Sequence, residues 1–435
     1  MASNEWQVAS GTWQVAVVSG TRTPKALPLA TCHWPLGRLC CQKTAILSFL
    51  FAVAGSTALA QTESTPADRN QSGEAQNEKA EKEEKRGEFL VAPIPIASPT
   101  IGTGLEWALG YVFPFSRQDK ISPHSVAGVG GLFTDNGSRG IAGGGRLYFK
   151  QDKYRFTVAG GNAKINADFT GIGNEAGDRG LFLPLTTTGS AFITESLVRV
   201  RKSLYLGARF QYRDLELRLN QEESTTAEPP PPPLNEVIDE IAPYLLRQRT
   251  VAVGPRLQWD TRDTPYYPHR GVFLETGIDL FTEALGSKFT YQYYKFALNK
   301  YTSLGDRQVL AVRGMGCAAA GDRVPLYDLC LFGTSGDLRG YAGGRYQDRR
   351  MFATQAEYRL TMPPKKVLGR FGVVAFGGFG GVAEEFSEIA WKELLPAGGA
   401  GIRFRLTKED HINFRIDYAI GTVGHTLSMG VGEAF

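Results

Sequence analysis

Alternation of apolar and polar residues is the dominant pattern of the chain from position 88 onward. In 412–420, apolar residues from Ile412 to Ile420 occupy every second position, and polar residues such as Arg415 and Asp417 lie between them. Segments 204–213, 251–260 and 352–360 repeat the pattern. A period of two predicts β-strands with one apolar and one polar face.

The alternating segments predict long strands. Fifteen are expected, at 101–114, 124–134, 139–149, 153–165, 188–201, 203–218, 247–260, 271–281, 288–302, 306–320, 351–362, 367–381, 398–407, 410–420 and 424–435. All fifteen exceed the ~5–6 residues usual in soluble proteins, and a tilted strand needs ~9–11 residues to cross a bilayer. Since bacterial single-chain barrels have even strand numbers, we expect a sixteenth strand at Glu88–Ile96, which Pro93 and Pro95 weaken. The predicted fold class is all-β, a transmembrane antiparallel β-barrel.

The lengths of the connections support this prediction. Counting back from a periplasmic C-terminus, the connections 407–410, 362–366, 303–306, 202 and 151–152 fall on the periplasmic side and are short. The long connections 382–397, 321–350, 219–246 and 166–187 fall on the extracellular side. Outer-membrane barrels have this asymmetry.

Composition excludes two other classes. The 435 residues have a formal net charge of +4 and no block of consecutive basic residues, so we expect no nucleic-acid partner. The mean hydropathy of −0.20 argues against a bundle of transmembrane helices. It does not argue against a barrel, whose strands are apolar on one face only.

An export signal is predicted before the barrel. Arg38 and Lys43 precede the apolar run 45–54, and Ala58-Leu59-Ala60 follows it. This order is typical of a cleavable secretory signal peptide. We expect a domain organisation of upstream extension and signal peptide (1–60), disordered periplasmic leader (61–87) and barrel (88–435). Residues 1–37 show no clear periodicity, and we interpret them as lying before the true translation start.

Candidate chemistry is sparse. The sequence contains no GxSxG elbow and no HExxH motif, and its five histidines are isolated. We therefore expect no catalytic residues, no metal site, no cofactor and no enzymatic activity. Cys317 and Cys330 could form a disulfide in an oxidising compartment, and two free thiols are an equal alternative.

Three segments of the chain carry distinctive motifs. The first is the strand–turn–strand segment 259–271, which contains Asp260, Arg262, Asp263 and Gly271. The second is Leu338-Arg339-Gly340-Tyr341, and the third pairs 401–404 with 415–418. Together they resemble the BamA/TamA-type surface-antigen superfamily of bacterial outer-membrane barrels. The first is similar to the family's strand–turn–strand signature, the second to its RGF/RGY motif and the third to its late strands. Phe435 on the last strand resembles the C-terminal signal that barrel-assembly machinery reads, although Glu433 interrupts its apolar face.

The resemblance implies a long extracellular loop folded into the lumen, with the loop arginine held by acids of the wall. Arg339 would be held by Glu357 on the next strand. Gly378 stands where the family often has a second acid, so the latch rests either on Glu357 alone or on another acid such as Asp279. An exposed loop arginine is the alternative.

The resemblance also implies function. Residues 61–87 show no βααββ pattern, so the chain resembles a branch of the family without POTRA domains. A role in protein or lipid insertion or translocation at the bacterial outer membrane is expected. The partners would be outer-membrane lipid, the barrel-assembly machinery that inserts the chain, and client proteins or lipids. The alternative is a passive pore or a structural surface protein.

Overall fold

The chain is described by a computed structural model. It covers residues 87–98, 101–116, 118–179, 183–220, 238, 241–333, 336–364 and 368–435, and the backbone of 14–18, all in one unit. The predicted signal peptide, its cleavage site and residues 61–86 of the predicted leader lie outside the described residues.

Sixteen long strands follow one another in the described part of the chain. They are β1 Glu88–Ser98, β2 Gly102–Phe113, β3 Ser125–Thr134, β4 Arg139–Phe149, β5 Tyr154–Phe169, β6 Leu183–Arg201, β7 Leu204–Leu219, β8 Arg247–Asp260, β9 Gly271–Phe281, β10 Tyr291–Gly305, β11 Gln308–Ala320, β12 Arg350–Thr361, β13 Phe371–Ala383, β14 Leu395–Arg405, β15 Asn413–Gly421 and β16 Gly424–Val431. Each strand pairs antiparallel with the next, which gives a nearly closed barrel. The predicted fold class and the sixteenth strand are confirmed.

Helical structure is confined to the connections. In the described residues it includes α1 Asn174–Arg179 and the 3-10 turns Ala242–Tyr244, Glu283–Leu285, Leu326–Asp328, Leu368–Arg370, Phe386–Glu388 and Trp391–Glu393. No helix within these residues combines the length and the apolar composition needed to span a bilayer.

The two faces of the strands are inverted relative to a water-soluble protein. On β15, Tyr418 and Ile420 are exposed, whereas Arg415 and Asp417 on the opposite face are fully buried. The same inversion holds on β12, where Tyr358 is exposed next to buried acidic and basic residues. Burying charge is costly unless it is paired, so the polar face lines the lumen and the apolar face meets lipid.

Connections at the two ends of the barrel differ in length. One end, the short-turn end, carries connections such as 150–153, 202–203 and 306–307. The other end, the long-loop end, carries 170–182, 220–246, 321–349 and 384–394. The alternation matches the sequence expectation. At the long-loop end, β5 and β6 pair as far as Phe169 and Leu183, beyond their predicted ends, because both residues pack into the core around the connection 321–349.

The barrel has a seam between its first and last strands. Each strand from β1 to β16 forms a ladder with the next one in the chain. Within the described residues, however, no register pairs β16 with β1, which would close the barrel. Instead, a short strand at Gln14–Val18 pairs antiparallel with β16, from Gln14 opposite Gly430 to Val18 opposite Thr426. This upstream strand was not predicted, because five residues are too few to reveal a period.

Proline explains why β1 is an edge strand. Pro93 and Pro95 lie two residues apart in β1, opposite Trp107 and Leu105 of β2. Residues two apart in a strand direct their N–H groups to the same side, and proline, which has none, is tolerated where that side faces no partner. Because the ladder from β1 to β2 is complete, the missing N–H groups of Pro93 and Pro95 are expected on the other edge of β1, which faces the seam.

Candidate functional site: a luminal ion-pair network

The connection between β11 and β12, residues 321–349, folds back into the barrel, and we call it the plug loop. It contains a hairpin of Cys330–Phe332 and Tyr346–Asp348. A disulfide joins Cys317 at the end of β11 to Cys330 of the hairpin. This resolves the open alternative for the two cysteines in favour of a bond. The tip of the loop, which includes Leu338 and Tyr341, is buried.

Arg339 at the tip of the plug loop is held by groups of the barrel wall. Its Nη2 lies 2.5 Å from Glu357 Oε2, and its Nη1 lies 2.8 Å from Asp417 Oδ2. Its Nε donates to Gln355 Oε1 at 3.1 Å, and its guanidinium carbon lies 3.4 Å from the centre of the Phe376 ring. The side chain is 1% exposed. The structure thus brings Arg339 and Glu357 together and adds Asp417, which the sequence analysis did not assign to the latch.

The latch is part of a larger network. Arg359 Nε lies 2.7 Å from Glu357 Oε1, on the oxygen that Arg339 leaves free. Arg403 Nη1 lies 2.6 Å from Asp417 Oδ1, and Arg415 Nη1 lies 2.9 Å from Asp417 Oδ2. Each carboxylate therefore bridges two or three guanidinium groups.

A third carboxylate extends the network to the end of the chain. Glu433 Oε2 lies 2.7 Å from Arg403 Nε, and its other oxygen accepts a hydrogen bond from Asn413 Nδ2 at 2.7 Å. We define the luminal ion-pair network as Arg339, Glu357, Arg359, Arg403, Arg415, Asp417 and Glu433. Its side chains are at most 4% exposed.

The network contributes more to fixing one specific arrangement of the plug loop than to the free energy of folding. Removing charged groups from water costs several kcal/mol per ion, which their attraction repays only with good geometry. Breaking a formed buried pair, however, leaves a charge without compensation. The network thus determines where the plug loop sits. Bidentate and branched guanidinium bonds give that position its direction.

The tail, residues 432–435, differs from the prediction. The last strand was expected to run to Phe435 with its aromatic ring on the apolar face, but β16 ends at Val431. Gly432 has φ +91°, a left-handed conformation that suits glycine, and its N–H donates to Asn413 O at 2.7 Å. The chain then turns into the lumen, because Glu433 finds its charged partners there and not in lipid.

Phe435 is buried inside the barrel. It belongs to an apolar cluster with Phe273, Tyr301 and Val309, which lie at the short-turn end of β9, β10 and β11. Its carbonyl oxygen accepts a hydrogen bond from Arg359 Nη2 at 2.8 Å. Arg359 therefore links the tail to Glu357, the acid that holds the plug loop. The role of Phe435 as an assembly signal stays a prediction.

Other residues of the motif seat the tip of the plug loop. Gly340 has φ +126°, and a β-carbon there would lie 2.7 Å from Ala397 Cβ. Tyr341 donates its hydroxyl to Pro396 O at 2.6 Å. Both contacts lie on β14, so the motif places glycine where the loop touches the wall.

Gly378 makes room for the plug loop. A β-carbon at this position would lie 2.9 Å from Leu338 Cδ1 and 2.0 Å from Thr354 O. The space beside residue 378, where the family often has an acidic side chain, is thus occupied by the side chain of Leu338 from the plug loop. Asp279, named as an alternative partner of Arg339, pairs with Arg256 instead, so that alternative is wrong.

The strand–turn signature forms a second cluster at the short-turn end. Arg262 pairs with Asp260 through Nε at 2.9 Å and Nη2 at 3.0 Å. Arg155 of β5 also reaches Asp260, at 2.8 Å, and pairs with Asp152. The signature aspartate, Asp260, thus ties β8 to β5 through Arg155.

Two further residues of the signature shape the turn itself. Asp263 Oδ1 accepts hydrogen bonds from the backbone N–H groups of Thr264 and His269 at 3.1 and 3.0 Å. Gly271 has φ +113°, and a β-carbon there would lie 2.4 Å from Thr261 O. The four signature residues therefore have structural roles at a distance from Arg339.

Among the described residues, no group of three or more His, Cys, Asp or Glu side chains could hold a metal ion. The geometry is that of a membrane barrel with a latched loop and its own tail folded into the lumen.

Comparison with known proteins identifies the family. Residues 136–435 match the model of the Omp85 superfamily domain, so the chain belongs to the Omp85 superfamily. The predicted resemblance is confirmed, and the protein is an outer-membrane β-barrel of this family. No curated protein sequence matches the chain.

Three solved structures align with this chain at low sequence identity. CdiB from Acinetobacter baumannii aligns with a TM-score of 0.50 and 13% identity over 80% of this chain and 60% of that one. CdiB from Escherichia coli aligns with a TM-score of 0.50 and 10% identity, over 79% of this chain and 67% of that one. BamA from Haemophilus ducreyi lacking POTRA domains 1–3 aligns with a TM-score of 0.48 and 14% identity, over 83% of this chain and 78% of that one. This chain spans about three fifths of the A. baumannii protein.

Proposed function

We propose that this barrel assists insertion or translocation of proteins or lipids at the outer membrane, and that it works at its seam. An extended client segment would pair with the free edge of β16 and leave between β16 and β1 into the bilayer. The family resemblance implies such a role.

One observation carries the proposal. The edge of β16 pairs with a strand from a distant part of the chain, Gln14–Val18, in antiparallel register, while β1 forms no ladder with it. Addition of a strand to a free edge is a common mode of polypeptide recognition, in which backbone hydrogen bonds supply affinity. If the predicted signal peptide is cleaved after Ala60, Gln14–Val18 is lost and the β16 edge is free in the mature protein.

The filled lumen supports the same proposal. The plug loop and the tail occupy the interior and are held by the luminal ion-pair network. A polypeptide that passed through the centre of the barrel would have to displace the plug loop, which the Arg339 ion pairs hold in place. The seam is then the route that requires no buried ion pair to break.

A seam lock tests the proposal. Cysteines at Val91 on β1 and Leu427 on β16 are joined by a bismaleimide in the purified protein, which is reconstituted into lipid vesicles. The measurement is the rate at which a small outer-membrane barrel protein, added unfolded in urea, folds into these vesicles. The matched control joins Leu109 to Val129, a lipid-facing pair on the ladder between β2 and β3.

We expect the uncrosslinked protein and the control to accelerate folding, and the seam-locked protein to fall to the rate of protein-free vesicles. Equal acceleration by the seam-locked and uncrosslinked forms would overturn the proposal. So would the absence of acceleration by the uncrosslinked protein.

A further inference from the structure

The connection between β14 and β15, residues 406–412, reaches across the seam at the short-turn end. Its Lys408 N–H donates to the carboxylate of Glu88, the first residue of β1, at 3.2 and 3.3 Å. Its Asp410 Oδ2 lies 2.8 Å from Nδ1 of His124, in the connection between β2 and β3. Since β16 lies between β15 and β1 around the barrel, both contacts bridge the edge that the ladders leave open.

The His124 side of this bridge is fixed to the rest of the barrel. The hydroxyl of Tyr266, in the connection between β8 and β9, donates to the carbonyl oxygen of His124. The His124 side chain is 30% exposed and that of Asp410 is 14% exposed. Protons can therefore reach the histidine from the aqueous phase, and the pair has a fixed position.

Acidic groups surround His124. Its hydrogen bond to Asp410 raises the pKa of the imidazole above 6.5, and the charges of Asp410, Glu409 and Glu88 act in the same direction, against a smaller effect of burial. Asp410 and Glu409 belong to the connection 406–412, and Glu88 is the first residue of β1.

Basic groups lie on the far side of the same connection. Burial lowers the pKa of His411, and the neighbouring charges of Arg405 and His269 lower it further. His411 therefore loses its proton at lower pH than His124 and does not share the charge of the bridge in the neutral range.

We propose that His124 and Asp410 form a pH-sensitive clasp that holds the seam shut at the short-turn end. When His124 is protonated, an ion pair spans the seam. When it is neutral, the attraction falls and the seam is retained mainly by the bond from Lys408 N–H to Glu88. The clasp acts on the separation of β1 and β16, whatever passes between them, so it does not depend on the proposed insertion activity.

The direction of the pH effect follows from the histidine. A group whose pKa is raised in the folded protein contributes its full stabilisation below the unfolded pKa and loses it as pH rises through the folded value. The clasp is therefore complete in mildly acidic solution and weakens toward alkaline pH.

Distance measurement between spin labels at Val91 of β1 and Leu427 of β16, in vesicles at about pH 5.5 and about pH 8.5, tests the clasp, because these conditions bracket histidine titration. Cys317 and Cys330 are bonded and take no label. We expect one short distance at the acidic pH and an added longer population at the alkaline pH. As a control, spin labels at Leu109 and Val129 should report one unchanged distance at both pH values.

Variants separate the clasp from general pH effects. His124→Gln and Asp410→Asn should show the longer population at both pH values. His269→Gln is the matched control, since His269 lies 3.4 Å from Asp263 within a single connection and bridges no seam, and it should behave as the wild type. A heat-modifiable band on cold gels confirms that each variant is folded. Identical wild-type distances at both pH values, or an unchanged pH response in folded His124→Gln and Asp410→Asn, would overturn the proposal.

Discussion

Arg339 and Asp417 are 78 residues apart in the chain and meet at 2.8 Å inside the barrel. Asp417 lies on β15, next to the strand that borders the seam, whereas Arg339 lies at the tip of a loop that begins on β11. Their contact makes the position of the plug loop depend on the strands of the seam. Glu357 on β12 completes the link at 2.5 Å.

Replacement of Arg339 by alanine should release the plug loop. The change leaves Glu357 and Asp417 with fewer partners, and breaking a buried pair costs about 3–5 kcal/mol. The measurement is the free energy of unfolding in urea, for the protein in detergent, with tryptophan fluorescence as the signal of unfolding. Arg323→Ala, at an exposed position of the same loop, should change it by less than about 0.5 kcal/mol. Equal effects of the two variants would contradict the latch.

Gly378→Ala should also displace the loop, although it removes no contact. Its β-carbon would lie 2.9 Å from Leu338 Cδ1 and 2.0 Å from Thr354 O, and such overpacking costs about 1–3 kcal/mol. Gly377→Ala is the matched control on the lipid-facing side, where the nearest atom, Ala397 O, is 3.6 Å away. Protease cleavage within the plug loop should be faster in Gly378→Ala alone.

Glu433→Gln should loosen the tail while the latch persists. The amide loses the charge that pairs with Arg403, but Arg403 keeps Asp417 at 2.6 Å. Hydrogen–deuterium exchange of a peptide covering 427–435 should become faster, because the N–H of Gly432 loses protection. Glu385→Gln, at an acid that is 58% exposed, should leave exchange unchanged. Protection equal to the wild type in Glu433→Gln would show that the tail does not depend on this pair.

Reduction of the disulfide should weaken the barrel without opening it. Cys317 and Cys330 close a short loop, with a sequence separation of 13 residues, and such a bond contributes about 3 kcal/mol in the chain-entropy account. The Arg339 latch and the pair of Arg213 with Asp328, at 2.6 Å, still hold the plug loop. Cys317→Ser/Cys330→Ser should therefore unfold at lower urea concentration but stay as protease-resistant in the plug loop as the oxidised wild type. Rapid cleavage of that loop would contradict this view.

Much of the architecture could be predicted from the sequence because a barrel strand has a simple period. Alternation identifies which face of β12 meets the lumen, and so it places Glu357 and Arg359 inside. The length of the connections fixes which end each turn occupies. Both rules are local, so they need no knowledge of distant contacts.

The partners within the lumen could not be predicted in this way. Asp417 lies on the inward face, as alternation predicts, but two strands lie between β12 and β15, and no local rule tells which acids a loop arginine reaches. Gly378 pointed to a missing acid, whereas the structure uses the space for Leu338.

The tail shows a conflict between two sequence signals. Phe435 favours a strand that continues in lipid, and Glu433 disfavours it. The structure resolves the conflict at Gly432, whose positive φ turns both residues into the lumen. The cost of placing a carboxylate against lipid exceeds the benefit of four further strand residues.

Electrical conductance in planar lipid bilayers tests most directly the claim that the latched loop and the tail fill the lumen. The purified wild type should show no steady conductance, whereas Arg339→Ala should open a conductance that Arg323→Ala does not. A steady conductance of the wild type, equal to that of Arg339→Ala, would contradict the account and favour the passive pore.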